Sequence, residues 1–386
     1  MLTCQKHLFS IPEEVSYLNC SYMSPLPEPV ELAGYQAIAR KTMPYEILVP
    51  DFFEPVARLK SLFAKLINVA DADPDRIAIV PSVSYGISSV VKNVQIHPGQ
   101  NVVVVDEIFP SNYYPWRRLT MENGAEIKVA KRPETTEGRG RTWNERLLET
   151  IDNQTVAVAV TNVHWADGTW FDLAAVRQRA NEVGALLIVD GTQSVGAMPF
   201  DVSVIQPDAL VCGAYKWLLG PYSMGMAYFG ERFDNGVPIE ESWMNRLGSE
   251  HFEKLTDYQD AYKPAAHRYN MGENSQFIAV PMLSAALELI LGWGVGNIQE
   301  YCRNLSAPYV QRLTELGFQV EEQAYRGSHL FGLRLPKTVN LDLVKKATLE
   351  SNVYVSYRAG AMRISPHLYN EAKDFDRLLG AIDSII

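Results

Sequence analysis

The sequence contains few cysteines, and none of them stands in a metal-binding arrangement. Only four occur in 386 residues, at Cys4, Cys20, Cys212 and Cys302. No two of them have the Cys-x-x-Cys spacing of a zinc or redox motif, and no cluster of other metal ligands accompanies them. A disulfide-stapled or zinc-stapled fold is therefore excluded, no metal is expected, and a reducing compartment such as the cytoplasm is favoured.

The sequence also lacks an excess of positive charge. Its 35 Lys and Arg residues against 45 Asp and Glu residues give a formal net charge of −10. This balance argues against a general binding surface for nucleic acid or for an anionic membrane. The apolar fraction of 47% and the charged fraction of 21% are typical of a globular enzyme with a large core.

Long apolar runs are almost absent. The beginning of the chain carries a lysine and two glutamates and has no apolar core, so no signal peptide is expected. The run FIAVPMLSAALELILGWGVG, which starts at Phe277, is nearly long enough to cross a bilayer. Its proline, its glutamate and its glycines make it a poor membrane span. We therefore predict a buried helix at 282–291 and a soluble cytoplasmic protein.

Apolar segments with the composition of strands alternate with helical patterns. The predicted strands are IAIV (77–80), NVVVV (101–105), EIKVA (126–130), VAVAV (156–160), ALLIV (185–189), ALVC (209–212) and GMAYF (225–229). The predicted helices are 28–40, 51–67, 85–92, 114–121, 143–151 and 173–183. Continuous apolar strands with helices between them indicate a mostly parallel sheet covered on both faces. The segment from Lys131 to Arg141, KRPETTEGRGR, is predicted to be a solvated, charge-rich loop.

Two of the predicted strands are followed by a charged residue. Asp190 comes directly after ALLIV, and Lys216 follows ALVC by four positions. A buried charge is costly unless it is paired, so either these two pair with each other or a ligand lies between them. In an open α/β sheet, ligands bind beyond the carboxyl ends of the strands. Ser82–Ser84, Phe109 and Asn162 also follow predicted strands, so the fold should gather all of them at one edge.

The order and spacing of these motifs resemble a known family. From YLNCSYMSPLP at Tyr17 to RISPHLYN at Arg363, nearly the whole chain resembles the class V branch of the fold-type-I pyridoxal 5′-phosphate (PLP) enzymes. That branch includes aminotransferases, cysteine desulfurases, kynureninases and isopenicillin-N epimerase. The resemblance implies PLP as the cofactor and an amino acid as the substrate.

The resemblance assigns roles around the PLP ring. Lys216 matches the lysine that forms a Schiff base with PLP, and Asp190 matches the carboxylate that keeps the pyridine nitrogen protonated. Gln193 and Asn162 match positions that face the phenolic oxygen of the ring. Phe109 matches the residue that covers the ring, where desulfurases have histidine. Taken singly, Lys216 could be a turn lysine, Asp190 a helix cap and Phe109 a core residue.

A phosphate-binding segment is expected at the start of the helix in VPSVSYGISSVV. Ser82, Val83 and Ser84 offer hydroxyls and backbone N–H groups there, although an ordinary serine cap is the alternative. The resemblance adds Tyr215, whose counterpart in several members is directed at the phosphate. It also implies that Asn274, in NMGENSQF, is lent to the active site of the neighbouring subunit.

The segment VSYRAGAMRISPHLYN contains two arginines. The resemblance implies that Arg363 holds the α-carboxylate of the substrate through a planar fork, and an ion pair inside the small domain is the alternative. Desulfurases carry a nucleophilic cysteine on a loop that follows the equivalent of Arg358. Here only Ala359–Met362 separates the two arginines, and no cysteine stands among these residues. Desulfuration through a persulfide is therefore disfavoured, and Cys20 is expected to be a buried structural thiol.

These observations predict an α/β, fold-type-I PLP-dependent transferase. An N-terminal arm (1–20) should pack on the small domain. A large PLP-binding domain (21–284) should contain a seven-stranded, mostly parallel sheet, and a small α+β domain (285–386) should follow. The resemblance implies a homodimer with shared active sites. The negative net charge and the lack of a good membrane span argue against a nucleic-acid or membrane partner.

The predicted function is PLP chemistry at the α-carbon of an amino acid. A class V aminotransferase, working with an amino acid and a keto acid, is the main hypothesis. Epimerisation, elimination and a non-catalytic PLP-binding role remain open, as does the identity of the amino acid. His164 could assist as an acid, but a packed loop histidine is the commoner case.

Overall fold

Strands and helices alternate along most of the chain in the computed structural model, which describes residues 2–135, 137–358 and 360–386. The strands are β1 (Ser16–Tyr17), β2 (Ile77–Val80), β3 (Asn101–Val105), β4 (Glu126–Ala130), β5 (Thr155–Thr161), β6 (Leu186–Asp190), β7 (Ala209–Gly213), β8 (Gly225–Phe229), β9 (Phe331–Arg334), β10 (Val353–Tyr354), β11 (Ser356–Arg358) and β12 (Ala361–Ile364). The helices are α1 (Glu28–Lys41), α2 (Glu54–Leu66), α3 (Val83–Val91), α4 (Tyr114–Glu122), α5 (Arg139–Thr150), α6 (Leu173–Val183), α7 (Val202–Ile205), α8 (Ala279–Trp293), α9 (Val295–Glu315), α10 (Leu341–Glu350) and α11 (Ala372–Asp383).

Seven strands form the large sheet, in the order β2-β8-β7-β6-β5-β3-β4. Only β8 runs antiparallel to its neighbours, and the remaining strands share one direction. All seven strands were predicted to within one residue at each end. In the inner strands the cause is a largely apolar run buried on both faces of the sheet, whereas the edge strand β4 is partly exposed. The prediction of an α/β fold with a mostly parallel seven-stranded sheet is confirmed.

Helices cover the sheet because each presents one apolar face to it. In α2, Val56, Leu59 and Phe63 recur every three or four residues and are buried. α6 begins after Asp172, whose carboxylate accepts hydrogen bonds from two N–H groups of the first turn. It ends at Gly184, which adopts a φ of 75° that a residue with a Cβ would avoid.

The charge-rich segment Lys131–Arg141 is a loop only as far as Gly138. α5 begins at Arg139, whose side chain is buried and forms an ion pair with Asp167 at 2.5 Å. The prediction of a solvated loop is therefore wrong at its C-terminal end. A buried carboxylate distant in sequence supplies the opposite charge, which the composition of the segment does not reveal. Thr136 lies outside the described residues.

The described residues form two hydrophobic cores. The larger lies around the seven-stranded sheet, and the smaller joins α10, α11 and the antiparallel sheet β11-β12-β9 to Leu18 of the N-terminal arm. β1 of that arm pairs in parallel with β10. α9 contributes Ile298 to the larger core and Leu313 to the smaller one, so the two cores meet along α9. The boundary predicted after residue 284 lies inside α8, which packs on α1 and α2 of the large domain.

The apolar run that begins at Phe277 forms the buried helix α8, a little longer than the predicted 282–291. In the part of the chain that the structure describes, no single helix is long and apolar enough to cross a membrane. α8 and α9 pass such a test only when they are taken together across a bend of 70°.

Candidate active site

Asp190 and Lys216 lie at the same edge of the large sheet. β6 ends at Asp190, which pairs in register with Val211 of the adjacent parallel strand β7. Lys216 follows the end of β7 by three residues. Both side chains are buried, with the whole residues 6% and 8% exposed respectively. The carboxyl ends of these parallel strands therefore place an acid and an amine side by side, as the position of ligand sites in such sheets predicts.

Asp190 and Lys216 do not form an ion pair with each other. Among the described residues, no carboxylate oxygen lies within 4.0 Å of Lys216 Nζ. Burial, and then the positive charge of Arg363, lower the pKa of Lys216 to about 8. Burial raises the pKa of Asp190, although the N–H of Thr192 donates to its Oδ1 at 3.0 Å. Of the two alternatives raised by the sequence, a ligand between the groups is the one that fits.

A cavity of 300 Å³ opens at this point, a volume at the lower end of the range for small-molecule sites. Eight of the residues predicted for the cofactor site line it, which are Ser82, Val83, Ser84, Phe109, Asp190, Gln193, Tyr215 and Lys216. Loops after β2, β3, β6 and β7 contribute them, so segments far apart in sequence converge here only through the sheet.

One end of the cavity is formed by the start of α3. Ser82 is the N-cap of this helix, and its Oγ accepts a hydrogen bond from the N–H of Tyr85 at 3.1 Å. The Oγ atoms of Ser82 and Ser84 lie 2.9 Å apart. The first N–H groups of a helix, here beginning at Val83, have no acceptor within the helix and attract an anion. This end of the cavity is therefore suited to a phosphate group.

Aromatic rings form the wall near the amine. The rings of Phe109 and Trp165 meet edge to face, with centroids 5.5 Å apart. Lys216 Nζ lies 5.6 Å from the centroid of Phe109 and 5.4 Å from that of Tyr215. Burial raises the pKa of Tyr215 to about 12, so its hydroxyl stays protonated and can donate a hydrogen bond. A flat heterocycle can pack on such a wall while water is excluded.

Gln193 is held in place by three contacts. Its Oε1 accepts a hydrogen bond from Nε1–H of Trp217 at 2.9 Å, and its Nε2 donates to the carbonyl oxygen of Ser21 at 3.2 Å. Nε2 of His329 lies 2.7 Å from the Gln193 carbonyl oxygen. Because a side-chain amide carries two hydrogens, one remains for a group in the cavity.

Two of the residues predicted to bind the cofactor, Asn162 and Asn274, are not on the cavity wall. Asn162 donates to the carbonyl oxygen of Phe171 at 3.2 Å, and Asn274 donates to that of Met271 at 3.3 Å. Both asparagines are buried, and Thr161 lines the cavity where Asn162 was expected. Adjacent residues of a strand end point to opposite sides, which accounts for the difference. The role of Asn274 involves a second subunit and remains a prediction.

Thr192 is a wall residue that sequence reasoning missed. Its N–H binds the carboxylate of Asp190, and its Oγ1 accepts a hydrogen bond from the N–H of Gly213 at 3.1 Å. Thr192 thereby ties the ends of β6 and β7 together around the acid. The local signal was available, because an aspartate followed two positions later by a turn residue favours this type of side-chain turn.

Arg363 is buried without an acidic partner. Its terminal NH1 donates to the carbonyl oxygen of Trp165 at 2.7 Å, and NH2 donates to Ser356 Oγ at 3.3 Å. The residue is 2% exposed, and burial lowers the pKa of its guanidinium to about 9. An ion pair inside the small domain, the alternative role for this arginine, is not found among the described side chains. Arg363 instead adjoins Trp165, which lines the cavity.

The loop that carries Trp165 is fixed by buried charge. Although burial opposes ionisation, the hydrogen bond to His164 and the charge of Arg139 hold the pKa of Asp167 below its usual range. His164 Nδ1 lies 3.4 Å from Asp167, and its Nε2 lies 3.2 Å from the carbonyl oxygen of Asp106. His164 does not line the cavity, so the structure gives it the packing role that was weighed against an acid role.

Neither thiol near the site is poised as a nucleophile. Burial raises the pKa of Cys20 to about 12 and that of Cys212 well above its ordinary value. Both residues are at most 1% exposed, and neither lines the cavity. A thiolate is therefore disfavoured at both positions.

The residues present fit PLP. The buried carboxyl of Asp190 is placed to bind a ring nitrogen, and Lys216 supplies an amine of lowered pKa that no described carboxylate neutralises. The start of α3 with Ser82 and Ser84 suits the phosphate, and the ring of Phe109 suits the face of the pyridine. All of these groups surround one cavity.

Comparison with known proteins agrees with this fit. A model of the family described as aminotransferase class-V matches residues 48–378. The chain is 28% identical over 384 residues to an uncharacterized aminotransferase, YcbU, of Bacillus subtilis (strain 168), covering 98% of this chain and 96% of that protein. It is 29% identical over 276 residues to a cysteine desulfurase of Escherichia coli O7:K1, covering 70% of this chain and 64% of that protein.

A solved structure shares the fold along the entire chain. It is a mutant of the protein C-DES, with glycine covalently linked to its PLP cofactor. It superimposes with a TM-score of 0.86 at 17% sequence identity and covers 100% of both chains. At this identity the likeness establishes the architecture, in agreement with the sheet order found here.

Proposed function

Because the chain belongs to the aminotransferase class-V family, whose cofactor is PLP, we propose that it is an aminotransferase acting at the α-carbon of an amino acid. The observation that carries this proposal is the set of chemical groups that line the cofactor cavity. It contains one amine of lowered pKa, one buried carboxyl and an aromatic face, and Lys216 is the only lysine among the described residues of the cavity wall. Arg363 adjoins the same cavity as a cation without an acidic partner.

Several residues would hold the cofactor. Lys216 would bind it through its amine, Asp190 would hold a proton on its ring nitrogen, and Ser82 and Ser84 with the start of α3 would bind its phosphate. When bound, PLP withdraws electrons from the α-carbon of the amino acid and so weakens the bond between that carbon and its hydrogen. Phe109 would pack on the ring and exclude water from that side.

Lys216 is the proposed general base. A neutral amine can take the proton from the α-carbon, and the lowered pKa of Lys216 makes the neutral form accessible near physiological pH. Epimerisation would need a second proton donor on the other side of the substrate. Phe109, which cannot carry a proton, stands where desulfurases have histidine, and no histidine lines the described cavity wall. One base on one side favours transamination over epimerisation.

Arg363 is the proposed binding site for the α-carboxylate. Its guanidinium already donates to a carbonyl and a hydroxyl, while its Nε is a buried donor with no partner among the described residues. A guanidinium forms paired hydrogen bonds with a carboxylate, and that match would supply the missing negative charge. The substrate would then be held by its carboxylate at Arg363 with its α-carbon toward Lys216.

Cysteine desulfuration is the activity named for several relatives. We propose that this chain does not perform it through a protein-bound persulfide. β11 and β12 form a hairpin in which Arg358 pairs with Ala361, so two residues of the sequence connect the strands. One of them, Ala359, lies outside the described residues. A connection of this length leaves no space for a cysteine-bearing loop. We therefore expect no protein-bound persulfide when the enzyme is given cysteine.

The experiment is an amino-acid panel added to the PLP-loaded protein. Transamination should convert one amino acid to its keto acid and leave an aminated cofactor, which a suitable keto acid then returns to its starting absorption spectrum. Deuterium exchange at the α-carbon without a keto acid would indicate epimerisation instead. Sulfide release from cysteine through a protein-bound persulfide would contradict the proposal.

The proposed partner is a second copy of the chain. Residues 22–48 expose a series of large apolar side chains, which on α1 are Leu32, Tyr35 and Ile38, with 53%, 62% and 51% of each exposed. We call the side of α1 that carries these three residues the α1 apolar surface. Contiguous exposed apolar residues of this kind favour a protein interface. In a dimer, Asn274 would be lent to the partner's cofactor site.

A cytoplasmic location is proposed with this function. Four cysteines without a disulfide among them suit a reducing compartment. The amino acid and the keto acid that an aminotransferase exchanges are both small metabolites, and nothing in the proposed reaction calls for a nucleic acid or a membrane.

A further inference from the structure

A second cavity lies next to the proposed carboxylate-binding arginine. Its volume is 540 Å³, and it lies between the β11–β12 hairpin, the start of α10 and the N-terminal arm. Its wall consists of Asn19, Tyr22, Leu341, Lys345, Val355, Ser356, Tyr357, Arg358, Gly360 and Ala361. We call it the side-chain cavity.

Arg363 connects this cavity to the cofactor cavity. One terminal nitrogen of its guanidinium, NH1, binds the carbonyl oxygen of Trp165, which lines the cofactor cavity. The other, NH2, binds Oγ of Ser356, which lines the side-chain cavity. Asn19, on the same wall, accepts a hydrogen bond from Ser356 Oγ at 2.8 Å. An amino acid held by Arg363 therefore has the side-chain cavity as adjoining space.

Among the described residues, the wall of the side-chain cavity carries two cations, Lys345 and Arg358, and no acid. Arg358 donates only to the carbonyl oxygen of Tyr357, at 2.8 Å, and no acid pairs with it among the described residues. Lys345 pairs at 3.0 Å with Asp342, whose side chain is 86% exposed and does not line the cavity. Water screens that pair, so it neutralises little of the charge on the wall.

The register of the hairpin directs Arg358 toward Arg363. Arg363 pairs with Ser356 across the two strands, and Arg358 pairs with Ala361. Because side chains alternate between faces, Ser356, Arg358, Ala361 and Arg363 all lie on one face of the hairpin. Diagonal neighbours on such a face lie roughly 7–8 Å apart, within reach of long side chains. The positive charge of Arg358 contributes to the lowered pKa values of both Arg363 and Lys216, as this closeness requires.

We propose that the side-chain cavity binds an anionic group at the end of the substrate's side chain, so that the enzyme prefers amino acids carrying a second acid group. This inference rests on the proposed function, because it assumes that Arg363 holds the α-carboxylate. Two guanidinium groups on one face of a hairpin, only one of which is used by the α-carboxylate, provide two anion-binding positions. The acid-free wall repels a cationic side chain and gives a neutral one no charged partner.

The recognised group can be a carboxylate or a phosphate, since both accept paired hydrogen bonds from a guanidinium. The experiment measures the apparent affinity of the PLP-loaded protein for three matched pairs, which are aspartate and asparagine, glutamate and glutamine, and O-phosphoserine and serine. The change in cofactor absorption reports binding. A charged hydrogen bond predicts that the acid binds on the order of 10- to 100-fold more tightly than its neutral counterpart in at least one pair.

Variants identify which residues of the side-chain cavity produce the preference for an acidic substrate. Arg358→Gln should reduce the ratio of acid affinity to neutral affinity at least about tenfold, and the affinity for alanine, which has no side-chain acid, should change by much less than the affinity for the acid. Lys345→Gln should have a smaller effect in the same direction. Lys346→Gln is the matched control, because Lys346 is the next residue of α10, pairs with Glu350 at 3.8 Å and does not line the cavity.

Salt dependence provides a second measurement. Screening between about 0.1 M and about 1 M salt should shrink the preference for the acid, because the side-chain cavity is open to solvent. A wild-type protein that binds acid and neutral members of every pair equally would overturn the inference while leaving the proposed function intact. So would an Arg358→Gln variant that loses alanine and the acids alike. Failure of every amino acid to react would reject the proposed function and this inference with it.

Discussion

Lys216 combines burial with the absence of a described carboxylate partner, and this combination sets its chemistry. The amine attacks the cofactor only when it is neutral, and burial lowers its pKa from 10.5 to about 8. In PLP-free protein the rate of cofactor attachment should therefore rise about tenfold per pH unit below pH 8 and level off above it. The growth of the cofactor absorption band measures this rate. A rate that still rises near pH 10 would indicate a lysine with the ordinary pKa of an exposed side chain. Separately, borohydride trapping with peptide mapping should place the cofactor on Lys216.

The burial of Lys216 also lowers the free energy of unfolding of the PLP-free protein. Its folded-state pKa lies below its unfolded value, so the charged form is disfavoured by folding. The destabilisation is fully present below about pH 8 and disappears as the pH rises to 10.5. Lys216→Met should therefore raise the free energy of unfolding of the PLP-free protein by about 3 kcal/mol at neutral pH. Denaturant unfolding at pH 7 and at high pH tests this, and an equal gain at both pH values would refute the electrostatic cause.

Asp190 is expected to act on chemistry rather than on cofactor attachment. Asp190→Asn keeps the shape of the side chain and its contact with the Thr192 N–H, but it removes the negative charge. The variant should still attach PLP to Lys216, while exchange of the α-proton of the substrate should fall by about 10²- to 10³-fold. Nuclear magnetic resonance of deuterium incorporation measures the exchange. Near-normal exchange would remove the role proposed for the carboxylate.

At the scale of elements, Asp167 joins three parts of the fold. Its carboxylate binds Arg139 at the start of α5 and lies 3.4 Å from Arg334 at the end of β9, and its backbone carbonyl accepts the N–H of Gly332. These contacts fix the loop that presents Trp165 to the cofactor cavity. A buried acid therefore connects α5 with β9, the strand that contributes Phe331 and Leu333 to the smaller core.

Removing the carboxylate of Asp167 should strongly reduce the stability of the protein. Asp167→Ala leaves the guanidinium of Arg139 buried without its partner, so the free energy of unfolding should fall by about 3–5 kcal/mol. Glu350→Gln, which disrupts the exposed pair with Lys346, should cost at most about 0.5 kcal/mol and serves as the control. Chemical denaturation compares the two variants. Equal stabilities would mean that the buried network contributes little.

At the scale of the whole molecule, the α1 apolar surface is exposed to solvent in a single chain, and the proposed dimer would cover it. Tyr35→Lys and Ile38→Lys place charges on it and should convert a dimer into monomers, with weaker PLP retention if Asn274 completes the partner's site. Val204→Lys adds the same charge to a residue that is 62% exposed elsewhere and should leave the dimer intact. Light scattering during size-exclusion chromatography gives the mass. A monomeric wild-type protein would contradict the proposed dimer.

The sequence alone determined the large sheet and eight residues of the wall of the cofactor cavity. A strand buried on both faces must be apolar throughout, so β3 could be read directly from NVVVV and β8 from GMAYF. Residues placed just after such strands must meet at the carboxyl edge, which predicted that Asp190 and Lys216 would lie close together. These are short-range rules, since each depends on fewer than about ten consecutive residues.

Tertiary structure decided what depends on pairing between distant segments. Whether Thr161 or Asn162 faces the cavity is a difference of one residue at the end of β5, which periodicity does not resolve. The burial of Arg139 depends on Asp167, 28 residues further along the chain. The common face of Arg358 and Arg363 depends on the register of a two-strand hairpin. The sequence supplied these charged groups, but only the folded chain determines which of them meet a partner and which remain free to bind a substrate.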